Sequence, residues 1–462
     1  MGFRRTMWIL AVTMSVALLG GTFPALARDT SAQLLSDPFL QLPTADSVRV
    51  VWFTEFAGQS HSLTYGANLD TTVAAVSTKM SRMYEDSGSR IADRSYSEVV
   101  DRGVWRHEAI ATGLTPNVRV PYFVTSVNDA GVRITSDQFT LQPLPTPGHG
   151  IKVLLTSDQQ NRLMAPANFQ KVVETVGQVD AVLLAGDFVD NPHRASEWFD
   201  RYDPNWLNAN PNPARPLYPA TRPAFFPSFQ GNYQEIFPEF PYDGGEILQH
   251  AYLFGTIGNH ESPGRWRPNE EIVVNGSTIN VGIDYMDNDP QPRWYAEIRY
   301  EQQKDAINPS GDPAIREQWI RDNSYEFTQY FEMWNNPDNG SQGESYWAYQ
   351  IGDVFVISMN VSRVWRTWDI GANARGKFRE FESELNNPDT WGFGDMWFET
   401  FDRGSEQYAW LVDVLNSDEF KNAKYRIVMG HQTMFGLGDN AIPVMADPVV
   451  TIVYEEDARA RN

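Results

Sequence analysis

Residues 153–158 of the chain read VLLTSD, an apolar run that ends in an aspartate, and this pattern decides the fold. Three later runs repeat it: AVLLAGD at 181–187, LFGTIGNH at 253–260 and RIVMGH at 426–431. Short apolar runs separated by helical patterns are typical of buried parallel strands. Because the carboxyl ends of such strands open onto one crevice, the four polar ends are expected to converge there.

Helical patterns stand between these strand patterns. A helix that begins near Pro166 and ends at Gly177 is favoured between the first two runs, because Phe169, Val172, Val173 and Val176 recur at helical spacing. Ser405 can cap a second helix before the last run. The apolar stripe of that helix is predicted to comprise Tyr408, Leu411, Val412 and Leu415. The alternation of strand and helix predicts an α/β fold.

A different pattern occupies residues 36–142, where short strand-like runs and turn signals replace helical spacing. The runs at 48–53 and 118–124 are rich in β-branched and aromatic residues. The Asn-Asp-Ala-Gly turn at 128–131 predicts a hairpin with the residues that follow it. Together these signals predict an N-terminal β-sandwich.

The Pro-rich segment 143–150 is expected to be a stiff linker that separates the sandwich from a catalytic domain at 151–462. Two long insertions, 191–251 and 262–344, interrupt that second domain. Insertions of this length usually cover or shape a functional site, although their aromatic residues could equally pack the insertions together. Their tryptophans are Trp198, Trp206, Trp266, Trp294, Trp319 and Trp334.

The N-terminus has the pattern of an export signal. Arg4 and Arg5 precede an apolar core at 8–19, and Ala25-Leu26-Ala27 fits a cleavage site. Residues 1–27 are therefore predicted to be a signal peptide, and the mature protein is expected to be secreted or periplasmic. The alternative is a membrane anchor, but the apolar core is too short to span a bilayer and no stop-transfer charges follow it. With the signal peptide removed, no membrane contact is expected for the mature form.

Composition limits the chemistry. The 462 residues carry a formal charge of −22, which repels nucleic acid, so no nucleic-acid partner is expected. The chain has no cysteine, and any metal must therefore be held by oxygen and imidazole ligands. Such ligands suit iron, manganese, zinc or magnesium.

The four polar strand ends supply the residues for a dinuclear metal site. Asp187 is the candidate that bridges two cations, Asp158 would bind one of them, and Asn259 and His431 would bind the other. Two cations sharing a water can supply hydroxide near neutral pH and neutralise charge on a phosphoryl group. His260, beside a ligand, is placed to protonate the leaving oxygen.

Each of these residues also has a structural alternative. Asp158 and Asp187 could cap the turns after their strands, and His431 could be a buried structural histidine. Asn259 could be an ordinary turn residue. The ordered set favours the metal site over these separate explanations.

The ordered motifs resemble those of the calcineurin-like metallophosphoesterases, and in particular the purple acid phosphatase branch. The segments that resemble successive family signatures are Gly186-Asp187, Gly258-Asn259-His260-Glu261 and Val428-Met429-Gly430-His431. The segments 38–42 and 112–116 and Tyr122 resemble the fibronectin-III-like domain of that branch. The resemblance implies a four-layer α/β/β/α core and phosphate-ester hydrolysis at two di- or trivalent ions of Fe, Mn or Zn. It implies ligand or acid roles for the same residues: Asp158, Asp187, Asn259, His431 and His260.

The sequence departs from the family at three points. Gln160 stands where a histidine is common, and Asp190 stands where the purple branch has a tyrosine, so both are additional candidate metal ligands. The family also closes its site with a Gly-His-x-His segment, but no histidine follows His431 in this chain. His193 or His250 could substitute if a loop folded back. The core is otherwise expected to be incomplete at its C-terminus.

Two functions follow from this pattern. The first is an exported, metal-dependent phosphatase or phosphodiesterase that acts on a small phosphate ester with a metal-bound hydroxide. The alternative is a non-catalytic binding protein on a degenerate phosphatase fold. The sequence does not distinguish monoesters from diesters, and it is silent on the oligomeric state.

Overall fold

The computed structural model describes a mixed α/β chain. The described residues are 33–86, 89, 91, 94–200, 223–236, 241–262, 270–274, 277–281, 293–324, 326–340, 343–362, 379–381, 401, 403–432 and 451–453. The signal peptide predicted at 1–27 lies outside them, and so do Trp206 and Trp266.

The described strands are short and numerous. In chain order they are β1 (Phe39–Gln41), β2 (Val48–Thr54), β3 (Ser60–Tyr65), β4 (Thr71–Ala74), β5 (Val76–Lys79), β6 (Tyr84–Glu85), β7 (Val100–Asp101), β8 (Trp105–Ala111), β9 (Val120–Val127), β10 (Arg133–Thr135), β11 (Phe139–Leu141), β12 (Val153–Thr156), β13 (Ala181–Leu184), β14 (Tyr252–Gly255), β15 (Glu270–Val274), β16 (Ser277–Val281), β17 (Trp347–Ile351), β18 (Val354–Met359), β19 (Arg379–Phe381), β20 (Tyr425–Gly430) and β21 (Thr451–Val453).

The helices stand mostly after residue 164. They are α1 (Ala165–Val176), α2 (Ala195–Phe199), α3 (Phe225–Gln230), α4 (Tyr233–Ile236), a 3₁₀ turn (Asn259–Glu261), α5 (Arg293–Ile307), α6 (Pro313–Asp322), α7 (Thr328–Met333), α8 (Glu406–Asn416) and α9 (Asp418–Asn422). Within the described residues, none of these helices has both the length and the apolar character needed to cross a membrane.

The largest sheet has seven strands in the order β12-β13-β14-β1-β2-β8-β5. Strands β12, β13 and β14 are parallel, and β1 continues the sheet in parallel with β14, where Leu40 pairs with Tyr252. Beyond β1 the pairing is antiparallel. Strands from both sides of the predicted linker 143–150 therefore share one sheet. The domain boundaries drawn from sequence stay predictions.

Smaller sheets complete the fold. Five strands form a second sheet in the order β10-β9-β3-β4, with β11 also pairing β9. The hairpin predicted around residues 128–131 is present, because β9 and β10 pair antiparallel and Gly131 N donates to Asn128 O over 3.0 Å. A three-stranded sheet has the order β17-β18-β20, and the pairs β6-β7, β15-β16 and β19-β21 stand apart.

Strands β13 and β14 are buried on both faces. The burial predicted for the runs at 153–158 and 426–431 is only partial, because β12 is an edge strand and Leu155 and Val428 are 58% and 48% exposed. On one face Leu184 and Leu253 join a core with Phe169 of α1. On the other face Leu183 and Phe254 join a core with residues of β18 and β20. Side chains buried in this way stabilise the fold by roughly 1.5–3 kcal/mol each. The polar ends of the strands are consequently held at a fixed edge of a packed sheet.

The far face of the three-stranded sheet packs against α8, but the helix face differs from the predicted one. The Ser405 hydroxyl caps α8 by accepting from Tyr408 N over 3.1 Å, as the sequence predicts. However, Val412 and Leu415 are 39% and 38% exposed, so their predicted place in the core stripe is wrong. The apolar residues that α8 turns toward the sheet are Trp410, Leu411 and Val414. The rotation follows from the buried polar Gln407, which must also face inward.

The tryptophans of the insertions mainly fill cores where the structure describes them. Trp198 and Trp334 are each 2% exposed and pack with Phe188, whose ring centroid lies 4.8 Å from that of Trp334. Trp319 packs against Tyr300. This is the packing alternative given above, so these three side chains have a structural explanation.

Two buried histidines join the five-stranded sheet to the seven-stranded sheet. The rings of His61 on β3 and His107 on β8 stack with centroids 3.6 Å apart. His107 Nε2 lies 2.8 Å from Thr54 Oγ1, and its Nδ1 lies 2.8 Å from Ser77 Oγ. Burial, with His61 and Arg106 nearby, lowers the pKa of His107 to about 2, and burial lowers the pKa of His61 as well. The His107 ring is therefore neutral in the folded chain near neutral pH.

This pair should make the fold sensitive to mild acid. The unfolded chain binds protons near a pKa of about 6.5 that the folded His107 excludes, so stability is present above that pH and is lost below it. Between pH 7.5 and 5.5, the wild type is expected to lose about 1.4 kcal/mol more unfolding free energy than His107→Gln. Urea unfolding at the two pH values measures this difference. The exposed His149, changed to Gln, should keep the wild-type loss, and equal losses in wild type and His107→Gln would contradict the prediction.

Candidate metal centre

The polar residues at four strand ends meet in one cluster. Asp158 follows β12, Asp187 follows β13, Asn259 and His260 follow β14, and His431 follows β20. Ligand atoms of Asp158, Asp187 and His431 all lie within 4.8 Å of one another. The convergence predicted from the sequence is present, and three of the four predicted ligands form a group able to hold a metal.

Asp187 lies at the centre of the cluster and is 2% exposed. Its Oδ2 lies 3.3 Å from His431 Nε2 and 3.9 Å from His260 Nε2. The main-chain N of His260 donates to Oδ1 over 3.0 Å. Burial raises the pKa of Asp187, but the two histidines outweigh burial and lower the pKa to about 2. The carboxylate therefore stays ionised, as a ligand must.

His431 is oriented by both of its ring nitrogens. Nδ1 lies 2.8 Å from the carbonyl oxygen of Ala185, to which it donates, and Nε2 lies 2.9 Å from Asn259 Oδ1. Burial lowers the pKa of His431, but the adjacent Asp187 carboxylate outweighs it and raises the pKa to about 10. The Nδ1 contact leaves Nε2 as the atom facing the cluster, and a cation bound there would displace the Nε2 proton, since a ligating histidine is neutral.

These residues fit a cation that prefers oxygen and imidazole ligands. Carboxylate oxygens of Asp158 and Asp187 and the Nε2 of His431 would hold it, and Asn259 Oδ1 lies beside them. A second ion would need more ligands than this group supplies within the described residues. The number of metal ions therefore stays a prediction.

Neither histidine named as a substitute ligand lies in this group. His193 Nδ1 lies 3.3 Å from the hydroxyl of Tyr84, in the contact between β6 and the segment before α2. His250 Nδ1 lies 2.9 Å from Thr140 Oγ1, at the opposite end of β14 from the cluster. Both histidines therefore have partners outside the group of Asp158, Asp187 and His431.

Gln160 and Asp190 both reach the rim of the cluster, but each presents a different group from the one expected. Gln160 donates from Nε2 to Asp187 Oδ2 over 2.9 Å, while its Oε1 accepts from Arg162. Asp190 presents its main-chain carbonyl oxygen to His260 Nδ1 at 2.7 Å. Their ligand roles stay predictions, and the structure gives Gln160 a role as donor to Asp187.

A buried network holds the segment that carries this carbonyl. Asn161 Oδ1 accepts from Asp190 N over 3.3 Å, and Asn161 Nδ2 donates to Glu197 O over 2.9 Å. Glu197 Oε2 accepts from Asn191 N over 2.7 Å, and Arg194 lies 3.5 Å from its other oxygen. Because Nδ1 of His260 donates to the Asp190 carbonyl, the network fixes the direction of Nε2.

The backbone is strained around the cluster. Asp158, Gln160, Asn161 and Asp187 all have positive φ angles, between 37° and 57°. Residues with side chains rarely adopt this left-handed conformation, and such strain concentrates at functional sites. The turns after β12 and β13 thus bring the exposed Asp158 and the buried Asp187 together at an energetic cost.

Two glycines let the turns approach each other. A Cβ on Gly186, which has a φ of +86°, would lie 2.8 Å from Gly258 Cα and 2.9 Å from His431 Nδ1. A Cβ on Gly258 would lie 2.8 Å from Asp187 N and 2.9 Å from Glu261 Oε2. No side chain fits in either place without moving the cluster.

Glu261 has a supporting role that the sequence reasoning did not assign. Its carboxylate accepts from three main-chain N–H groups: Asp187 at 2.9 Å, Phe188 at 2.9 Å and Gly258 at 2.6 Å. Burial and the nearby Asp187 raise the pKa of Glu261 to about 7. The signal available in the sequence was its place at the end of Gly258-Asn259-His260-Glu261, but the three donors come from distant turns.

A fifth strand end also reaches this edge of the sheets. Residues 354–359, VFVISM, are followed by Asn360, which repeats the pattern of an apolar run with a polar end. Asn360 is 1% exposed, and among the described residues neither its Oδ1 nor its Nδ2 has a hydrogen-bond partner. The sequence pattern could have identified this residue.

No protein family model and no curated protein matches the chain. Among solved structures it is similar to the purple acid phosphatase PPD1 from yellow lupin (Lupinus luteus) seeds, with a TM-score of 0.43 and 12% identity. That alignment covers 86% of this chain and 51% of the lupin chain, so the chain spans about half the length of that structure. A Br derivative of BhCBM56 has a TM-score of 0.15 at 15% identity, covering 23% of this chain and 92% of the other. At these TM-scores the similarities assign neither fold nor function, and the site itself must carry the argument.

Proposed function

We propose that the chain is a metal-dependent hydrolase of phosphate esters, exported from the cell and acting on a small-molecule ester. The observation that carries the proposal is the convergence of Asp158, Asp187 and His431, with Asn259 and His260 on the rim. The resemblance of the ordered motifs to the purple acid phosphatase branch supports the same reaction class. The packing of β12–β14 against the three-stranded sheet, with helices outside both, supports the four-layer core.

The residues of the cluster divide into candidate metal ligands and residues that fix the positions of those ligands. Asp158, Asp187, Asn259 and His431 would hold Fe, Mn or Zn, as one ion or as the predicted pair. When bound, such an ion activates water and neutralises charge on a phosphoryl group. Glu261 fixes the main chain of the Asp187 turn by accepting its N–H.

His260 would act on the leaving group. Its Nδ1 donates to the Asp190 carbonyl, so Nε2 is the atom left to face the cluster. Nε2 lies 3.9 Å from Asp187 Oδ2, and the side chain is 15% exposed, which gives a substrate access to it. A proton on Nε2 can therefore pass to the departing alcohol oxygen.

Leaving-group dependence tests this role. His260→Ala is expected to slow hydrolysis of an alkyl phosphate by about 10²–10⁴-fold, the usual contribution of a general acid. With p-nitrophenyl phosphate the loss should be much smaller, because that leaving group needs little protonation. Steady-state turnover of both esters by the Mn²⁺- or Zn²⁺-loaded chain measures the difference.

The matched control is His250→Gln, which lies at the opposite end of β14 and should leave both rates unchanged. An equal loss of both activities in His260→Ala would contradict the acid role. A folded wild type that binds metal but turns over neither monoesters nor diesters would refute the enzyme proposal and favour the non-catalytic binding protein.

A further inference from the structure

We propose that Asn360 is a substrate-binding residue of this site, with its side-chain amide hydrogen-bonding the phosphoryl group. This inference rests on the proposed function and adds a fifth strand end to the site. Two observations support it: Asn360 lies beside His431 in the sheet, and its side-chain amide is buried without a hydrogen-bond partner among the described residues.

The strand register places Asn360 beside His431. Strands β18 and β20 are parallel, and their last pair is Met359 with Gly430. The next residue on each strand is Asn360 and His431, and neighbouring strands lie about 4.8 Å apart. The amide therefore begins one strand away from a candidate metal ligand.

Side-chain alternation places both residues on the same face. Val356 and Met429 point toward the parallel strands β12–β14, in the core they share with Phe254. Ser358 points the same way, because its Oγ lies 2.7 Å from Thr256 Oγ1 just after β14. Since side chains alternate along a strand, Asn360 follows Ser358 and His431 follows Met429 toward the strand ends.

The main chain of Asn360 is already fixed by another side chain. Gln407 Oε1 accepts from Asn360 N over 2.9 Å, and Gln407 Nε2 donates to Asn360 O over 3.0 Å. Gln407 itself is fully buried. The backbone position is thus held without any contribution from the Asn360 amide.

That amide is buried without a partner among the described residues, as is the Ser362 hydroxyl two residues further on. Leaving a buried polar group unpaired costs stability, and such groups in folded proteins call for a specific explanation. A ligand supplies one here. Nδ2 can donate to a phosphoryl oxygen, and Oδ1 can accept from a protonated one.

The uncharged amide of Asn360 also fits the electrostatics of the cluster. Asp158 and Asp187 give the cluster negative charge, which opposes an anionic ester unless a cation is bound. An amide binds phosphoryl oxygen without adding a charge that would compete with the cation for the two carboxylates. Asn360 would therefore bind the ester beside the metal rather than in its place.

The experiment compares ligand-free stability with phosphate affinity in the full chain. Asn360→Leu removes an unpaired amide at nearly constant volume, so urea unfolding without ligand should show stability equal to or above that of the wild type. Inorganic phosphate, titrated into the Mn²⁺-loaded chain by calorimetry, should bind about tenfold more weakly, the effect of one lost hydrogen bond. Asn360→Ala, which is smaller, should behave in the same way if the leucine does not fit.

The matched control is Asn308→Leu. Asn308 is also buried, but its Nδ2 donates to the Tyr300 hydroxyl over 2.8 Å and to Asp312 O over 2.7 Å. This variant should lose stability and keep phosphate affinity. If the wild type binds phosphate and the Asn360 variants bind it equally well, the role of Asn360 is overturned and the proposed function is not affected. If the wild type neither binds phosphate nor hydrolyses esters, the proposed function fails and the role of Asn360 fails with it.

Discussion

Asp187→Asn is expected to lower the affinity of the chain for Mn²⁺ or Zn²⁺ by at least about 100-fold. Changes to residues that merely support metal ligands cost 10–100-fold, and Asp187 is the central carboxylate rather than a support. The substitution keeps the shape and removes the charge that faces His431 and His260. Calorimetric titration of each metal into wild type and variant gives the ratio directly.

Asp353→Asn provides the control for this experiment. Asp353 lies just before β18, at the end of the strand opposite Asn360, where it accepts from Gly148 N over 2.8 Å. The Asp353→Asn variant should bind metal with the affinity of the wild type. Wild-type affinity in Asp187→Asn would remove the metal site as proposed, and phosphate-ester hydrolysis should fall in step with the metal affinity.

Among the variants proposed here, Gly186→Ala is expected to lower the free energy of unfolding most, by about 2–4 kcal/mol. A left-handed φ strains any side chain by about 1 kcal/mol or more, and overpacking adds typically 1–3 kcal/mol. Here the new Cβ meets the backbone of Gly258 and the ring of His431, and the backbone contact cannot move away cheaply. Urea unfolding measures the stability, and metal titration of the folded fraction should show weakened binding.

Gly148→Ala separates the two contributions. Gly148 has the same positive φ as Gly186, +86°, but a Cβ there would meet nothing within 4 Å. It should therefore lose only the backbone part, about 1 kcal/mol, and keep wild-type metal affinity. Equal losses in the two variants would show that the close approach of the turns at Gly186 carries no energy.

The convergence of the strand ends could be predicted because each strand is a short apolar run that stops at a polar residue. Strand β13 is buried throughout, and Asp187 follows it within one turn. Parallel packing then brings residues far apart in sequence to one edge. Asn360 fits the same pattern and was missed because an asparagine after a strand is more often a turn residue.

Other features depend on contacts that a sequence pattern does not contain. The stripe of α8 is rotated because Gln407 must turn inward to the backbone of Asn360, a contact between two distant segments. Gln160 became a donor because the oxygen it could offer a metal is turned to Arg162. Glu261 serves three N–H groups that only tertiary structure brings together.

The pairing of β1 with β14 has a consequence for how the chain is assembled. An unpaired edge of a parallel sheet exposes N–H and C=O groups that can recruit a foreign strand, and β1 covers that edge of β14. During synthesis Leu40 leaves the ribosome long before its partner Tyr252. Strand β1 is therefore already present when β14 is made. The edge of β14 that carries Tyr252 is therefore covered by a strand of the same chain, which leaves it closed to the edge-to-edge pairing that leads to aggregation.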